Sequence, residues 1–166
     1  MNPTVILIEM LVFSALFTAL VFAVARDKEA PGNIHNYPPD IQEAYFRTHP
    51  RVDTSYRSGK VILRKLIGIL FFIIVLTVCA VIAGAETFLQ GFLLAFGLMV
   101  WIGAYDTFFL DWVLFANMKC FRLPGTEHMD KAYRQKWFHL KGMLFPGLIF
   151  ALIPAAVVGL IVMLIR

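Results

Sequence analysis

Charge is what this sequence has least of. Only 16% of its 166 residues are Asp, Glu, Lys or Arg, against 60% hydrophobic, whereas a water-soluble domain carries about a quarter charged and about half apolar residues. An ordinary soluble domain is excluded. Cysteine is nearly absent: Cys79 falls inside an apolar run and Cys120 in a loop, so neither a disulfide nor a paired-cysteine site is expected. The motifs of common chemistries are missing as well. There is no His-Glu-x-x-His or Cys-x-x-Cys, Gly59-Lys60 lacks the rest of a phosphate-binding loop, and no Gly-x-Gly-x-x-Gly or Gly-x-Ser-x-Gly occurs. No cofactor and no metal site are therefore expected. Internal repeats and low-complexity tracts are also lacking.

What is present is long apolar runs. Thr4 to Ala25 (interrupted only by Glu9), Leu66 to Ala85, Thr87 to Tyr105 and Gly142 to Ile165 are uncharged, and each is about as long as a bilayer-spanning helix requires. The predicted fold is all-α, one membrane domain over residues 1–166. It forms an antiparallel bundle of four transmembrane helices at about 4–25, 62–84, 87–116 and 142–165. The loops at about 26–61 and 117–141 complete the chain, each carrying a short amphipathic helix. The first run ends in Ala23-Val24-Ala25, which resembles a leader cleavage site. It has no Lys or Arg before Arg26, however, and exceeds the roughly 7–15 apolar residues of a leader, so it is read as a retained helix.

The net charge of +4 is a matter of topology. Eight Lys and Arg lie from Arg26 to Lys65, none in the Gly84 to Thr87 turn, and six from Lys119 to Lys141. The positive-inside rule then places both long loops in the cytosol and both termini outside a cell (inner or plasma) membrane. The expected partners are the lipid bilayer and its anionic lipids, with a homo-oligomer or a membrane-protein partner as further options; no nucleic-acid partner is expected.

In the first loop, Asp40 after Pro38-Pro39, with Glu43 three residues on, predicts a capped helix from about Ile41 to Thr48. In the second, Thr126 is placed to cap a helix whose apolar stripe is Met129, Tyr133, Trp137 and Leu140. Small residues at every fourth position line three of the spans: Gly147, Ala151, Ala155 and Gly159; Ala15, Ala19 and Ala23; Ala80 and Gly84. Close helix packing within the bundle is the expected use. Pro146 and Pro154 are expected to bend the last span.

Ionisable groups at membrane depth are costly, so they are the candidate functional residues. Glu9 is an intramembrane acid about 8 Å into the first helix. Asp106 and Asp111 fall near the inner end of the third span. At five residues apart they sit about 140° apart on an α-helical wheel, too far for one tight site unless the helix is distorted. His139 lies at the matching depth before the last span, so an acid–base pair with either carboxylate is conceivable. Arg64, Lys65, Arg122 and Lys141 are candidate holders of lipid phosphate. Three functions fit. The first is a non-catalytic membrane protein binding a lipid or a partner through a basic cap. The second is an enzyme acting on a lipid or isoprenoid with Asp106, Asp111 and His139 as catalytic groups, and the third is a transporter or channel subunit using Glu9.

Overall fold

A computed structural model of the protein describes residues 1–26, 31–51 and 59–166. It is all-helical, 82% helix, with no strand among the described residues. Helix α1 covers Pro3–Arg26, α2 Pro39–Tyr45, α3 Gly59–Ile82 and α4 Phe88–Tyr105, the last running without interruption into a widened π-helical stretch, Asp106–Phe115. Two short helices follow, α5 (Asp130–Tyr133) and α6 (Lys136–Gly142), and after a break α7 spans Leu148–Ile165. Three segments, Pro3–Ala25, Phe88–Phe115 and Asp130–Ile165, are long and apolar enough to cross a membrane, and a shorter apolar stretch, Leu66–Ile82, lies in α3. The chain is a membrane protein.

The helix ends follow local chemistry. Asn2 Oδ1 accepts from the amides of Thr4 and Val5 at 2.9 and 3.4 Å, and Pro3 occupies the first turn, where a missing N–H costs nothing. Gly84, at φ +78°, closes α3. The Ala85 amide reaches back to Ala80 O at 2.8 Å and that of Gly84 to Val81 O at 3.1 Å, the left-handed closure that only glycine adopts without strain. Thr87 caps α4 by accepting from the Gln90 amide at 3.3 Å, while Gln90 Oε1 accepts from the Glu86 amide at 2.8 Å. At this end of the molecule the start of α1 and the end of α7 also meet α3: the Asn2 amide donates to Ala83 O at 2.7 Å and Arg166 Nη2 to Val81 O at 3.4 Å.

The tightest contact joins α4 to α7. A Cβ added at Gly159 would stand 2.8 Å from Phe88 O, and one added at Gly91 2.9 Å from Val162 Cγ2. Ala151, Ala155 and Gly159 are buried there, while Gly147 is exposed. The small stripe of α1 behaves differently: Ala15, Ala19 and Ala23 are exposed. Hydrogen bonds to α4 hold this helix instead. Trp101 Nε1 donates to Ser14 Oγ at 3.0 Å, and Thr18 Oγ1 lies 2.9 Å from the Tyr105 hydroxyl. Thr18 already gives its own proton to Ser14 O at 2.8 Å, so Tyr105 is the donor. With no hydrophobic force between helices in lipid, such bonds and close backbone approach do the joining.

At the opposite end, residues 31–51 and 117–135 pack into a cap with its own core of Ile34, Ile41, Tyr45, Phe121, Leu123 and Tyr133, fused to Phe115 of the π stretch. The amphipathic helices expected in the two loops differ in detail. Pro38, not Asp40, stands at the N-cap of α2, with no side-chain cap bond; Asp40 Oδ2 instead accepts from Gln135 Nε2 at 2.7 Å. The second helix is broken in two. Thr126 is fully buried, donating to Leu123 O at 2.9 Å and lying 2.6 Å from the Tyr133 hydroxyl. That anchor confines α5 to one turn and draws Tyr133 into the cap, while Trp137 stays 72% exposed. The last span starts earlier than position 142 and is interrupted by Met143–Gly147, where Phe145 is extended (φ −138°, ψ 111°) ahead of Pro146. A proline ring clashes with a helical residue before it and offers no N–H.

Gly159→Ala is expected to push α4 and α7 apart and to destabilise the fold by about 1–3 kcal/mol, seen as a lower midpoint in thermal unfolding in detergent. An unchanged midpoint would mean that the two backbones do not cross at this glycine.

Candidate functional site

The widened stretch determines which side chains meet. In a π-helix each amide bonds the fifth carbonyl back, as the Ala116 amide does to Asp111 O, so residues five apart are brought round toward one side of the helix. Asp106 and Asp111, which would diverge on an α-helix, therefore share a face. Both line one cavity of about 800 Å³ between the end of α1, the π stretch, the cap and the α6–α7 break. His139 of α6 enters the same cavity, and its Nδ1 is 2.9 Å from Asp111 Oδ2. The His139 side chain is 7% exposed and packs edge-on against Phe115 at 5.2 Å. In a neutral ring, a carboxylate beside Nδ1 holds the proton there and leaves Nε2 as an acceptor. That Nε2 is covered and has no hydrogen-bond partner among the described residues.

Two bonds fix α6 against the π stretch: Trp112 Nε1 donates to Lys136 O at 3.2 Å, and Lys136 Nζ stands 5.0 Å above the Trp112 ring. The cap forms the roof. Tyr37 lines the cavity and its hydroxyl donates to Phe121 O at 3.2 Å. Burial, and then the neighbouring Tyr133 and Cys120, push the Tyr37 phenol above its ordinary range, so it remains a neutral donor. The floor and sides are apolar, including Phe17, Leu20 and Val24 of α1 and Met143 and Phe145 at the break.

The proposed phosphate holders separate. Arg122 lines the cavity but is largely committed to the cap: Nη2 donates to Ala116 O at 3.0 Å and pairs with Asp130 at 3.0 Å, and the guanidinium lies 3.9 Å over the Tyr133 ring. Its Nη1 is covered and without a partner among the described residues. Lys141 lines the cavity from an exposed position. The side chains of Arg64 and Lys65 lie outside the described residues. Glu9 is remote from the cavity, at the other end of α1, against Cys79 of α3; both its carboxyl oxygens are covered and unpartnered among the described residues. Among the described residues no three His, Cys, Asp or Glu side chains come together as a metal site.

Several of these features leave no trace in the sequence. Nothing in Asp106–Phe115 marks a π-helix, and Tyr37, Gly103 and Phe17 carry no pattern that singles them out as cavity walls. No known protein family, functionally characterised protein or solved structure matches this chain.

The Asp111–His139 contact has a direct check. A double-mutant cycle with Asp111→Asn and His139→Gln is expected to give a coupling of about 0.5–3 kcal/mol in unfolding experiments; additive effects would deny the pair.

Proposed function

We propose that this protein is a four-helix antiparallel membrane protein that binds an amphipathic lipid, head group beneath the cap and chains along the outer faces of α1 and α7. Both basic loops face the cytosol and both termini lie outside, because positive charge is retained on the side of the anionic leaflet. The observation that supports the reading is the cavity of about 800 Å³, of a size that suits a small ligand or one lipid head. Its depth is polar and its walls are apolar. Those walls run out to side chains that are exposed on the molecule's apolar surface, such as Leu20 at 57% and Phe145 at 74%. Lys141, which lines the cavity from an exposed position, is the cation proposed to meet a lipid phosphate. Ordinary soluble ligands need no such greasy approach.

A second reading has its own observation. Asp111 bound to Nδ1 of His139, with Nε2 unpartnered among the described residues, is the arrangement of an oriented general base. On this reading the protein is an enzyme acting on a lipid or isoprenoid at the cytosolic interface, with His139 as base, Asp111 as its positioning residue and Asp106 as the second carboxylate. Glu9 lies away from this cavity, and the channel reading draws no support from its placement.

Two measurements test the proposal. Cys120, half-buried in the cap, is expected to react with a membrane-impermeant maleimide only after cells are opened; labelling of intact cells would invert the topology. For the ligand, Gly103 lines the cavity, and a Cβ there would meet Met143 Cγ at an ordinary 3.7 Å. Gly103→Ala is expected to retain bound lipid in native mass spectrometry and Gly103→Phe to lose it at least tenfold without loss of fold. Equal retention by both variants would place the lipid elsewhere.

A further inference from the structure

We infer that the head group taken by this cavity carries a primary amine, as in a phosphatidylethanolamine-type lipid, its ammonium seated among Asp106, Asp111 and Nε2 of His139. The inference rests on the lipid-binding reading above and assigns its ligand.

Charge and hydrogen-bonding capacity both point this way. The cavity holds two carboxyl groups five residues apart on the π stretch and one imidazole. With both carboxyls ionised that sums to −2 when His139 is neutral and to −1 when it is protonated. Two carboxylates at a shared buried face repel, and a cation among them relieves that repulsion. The remaining charges are placed differently. Arg122 is matched by Asp130 at 3.0 Å, Lys141 stands at the exposed rim, and His35 lies on the cap wall. A cation is therefore drawn to the two acids, and a phosphate to Lys141 at the rim. That polarity matches a zwitterionic head whose amine leads and whose phosphate trails.

Donor count refines the choice. His139 Nε2 is covered, without a partner among the described residues, and in the neutral ring, with the proton on Nδ1 toward Asp111, it accepts and does not donate. A buried acceptor left unpaired is costly. A primary ammonium has three N–H donors for Nε2 and the carboxylates; the quaternary ammonium of choline has none. A glycerol head donates hydrogen bonds but brings no cation to balance the two acids. The apolar walls at Leu20, Val24 and Phe145, exposed by 57%, 40% and 74%, give the acyl chains a path that a free amine would not use.

The test uses delipidated full-length protein in nanodiscs of phosphatidylethanolamine, phosphatidylcholine or phosphatidylglycerol with identical acyl chains, and counts lipid retained after release by native mass spectrometry. The expected result is at least tenfold more phosphatidylethanolamine retained than either other lipid. Asp106→Asn is expected to remove most of that preference while leaving the thermal midpoint within a few degrees. Equal retention of all three lipids by the wild type, abolished by Gly103→Phe, would overturn the amine assignment and leave the lipid-binding reading intact. Retention untouched by Gly103→Phe would remove both. Free ethanolamine that raises the thermal midpoint as much as the lipid does would assign the site to a soluble amine and overturn the lipid source. The wild-type comparison of lipids decides the matter even if Asp106→Asn fails to fold.

Discussion

In hydrocarbon a backbone carbonyl or amide has no water to turn to, so any departure from regular helix must be covered by protein. The two irregular stretches of this chain, Asp106–Phe115 and Met143–Gly147, obey that constraint together. They lie on either side of α6, at the end of the molecule closed by the cap. Trp112, His139 and Phe115 tie the first stretch to the element that precedes the second. The cavity is the space these departures leave between them. Had either helix run straight, Asp106 and Asp111 would have faced different neighbours and the approach beside Phe145 would have been filled by a continuous helix.

The cap supplies the rest of the enclosure through aromatic packing and not through its many charges. Tyr37 packs at a tilt against Phe115 at 5.2 Å and Phe115 against Tyr133 at 5.3 Å, and Arg122 lies on the Tyr133 ring within the same cluster. A guanidinium held by a ring face, a carbonyl and a carboxylate is a rigid part of the roof. The surface pair Arg47–Glu43 at 3.4 Å, with both side chains mostly exposed, contributes far less.

Membrane character was legible in the sequence because it depends on composition summed over about 20 residues. The hairpin turn was legible because Gly84 and Thr87 act locally. Depth was legible too: counting residues along two helices brings His139 to the level of Asp111. Direction around the helix was not. A single widened turn rotates everything after it, and no residue between Asp106 and Phe115 announces one. The alanines of α1 show the same limit. Their spacing matches that of α7, but whether such a stripe meets a neighbour is decided by where α4 carries Trp101 and Tyr105. Likewise Thr126 has the residue type of a cap, yet its hydroxyl bonds Leu123 and Tyr133, a competition between backbone and tertiary partners that spacing cannot resolve.

The hydroxyls of α1 have a consequence for biogenesis. Ser14 and Thr18 meet their partners on α4 across 87 residues of chain, which the ribosome delivers only after α1 has left it. In that interval each hydroxyl proton is satisfied within the helix, Ser14 on Met10 O and Thr18 on Ser14 O, both at 2.8 Å. Both oxygens keep lone pairs to accept from Trp101 and Tyr105 later. The Ser14 and Thr18 hydroxyls can thus wait in lipid with their protons satisfied, and docking adds bonds without breaking any.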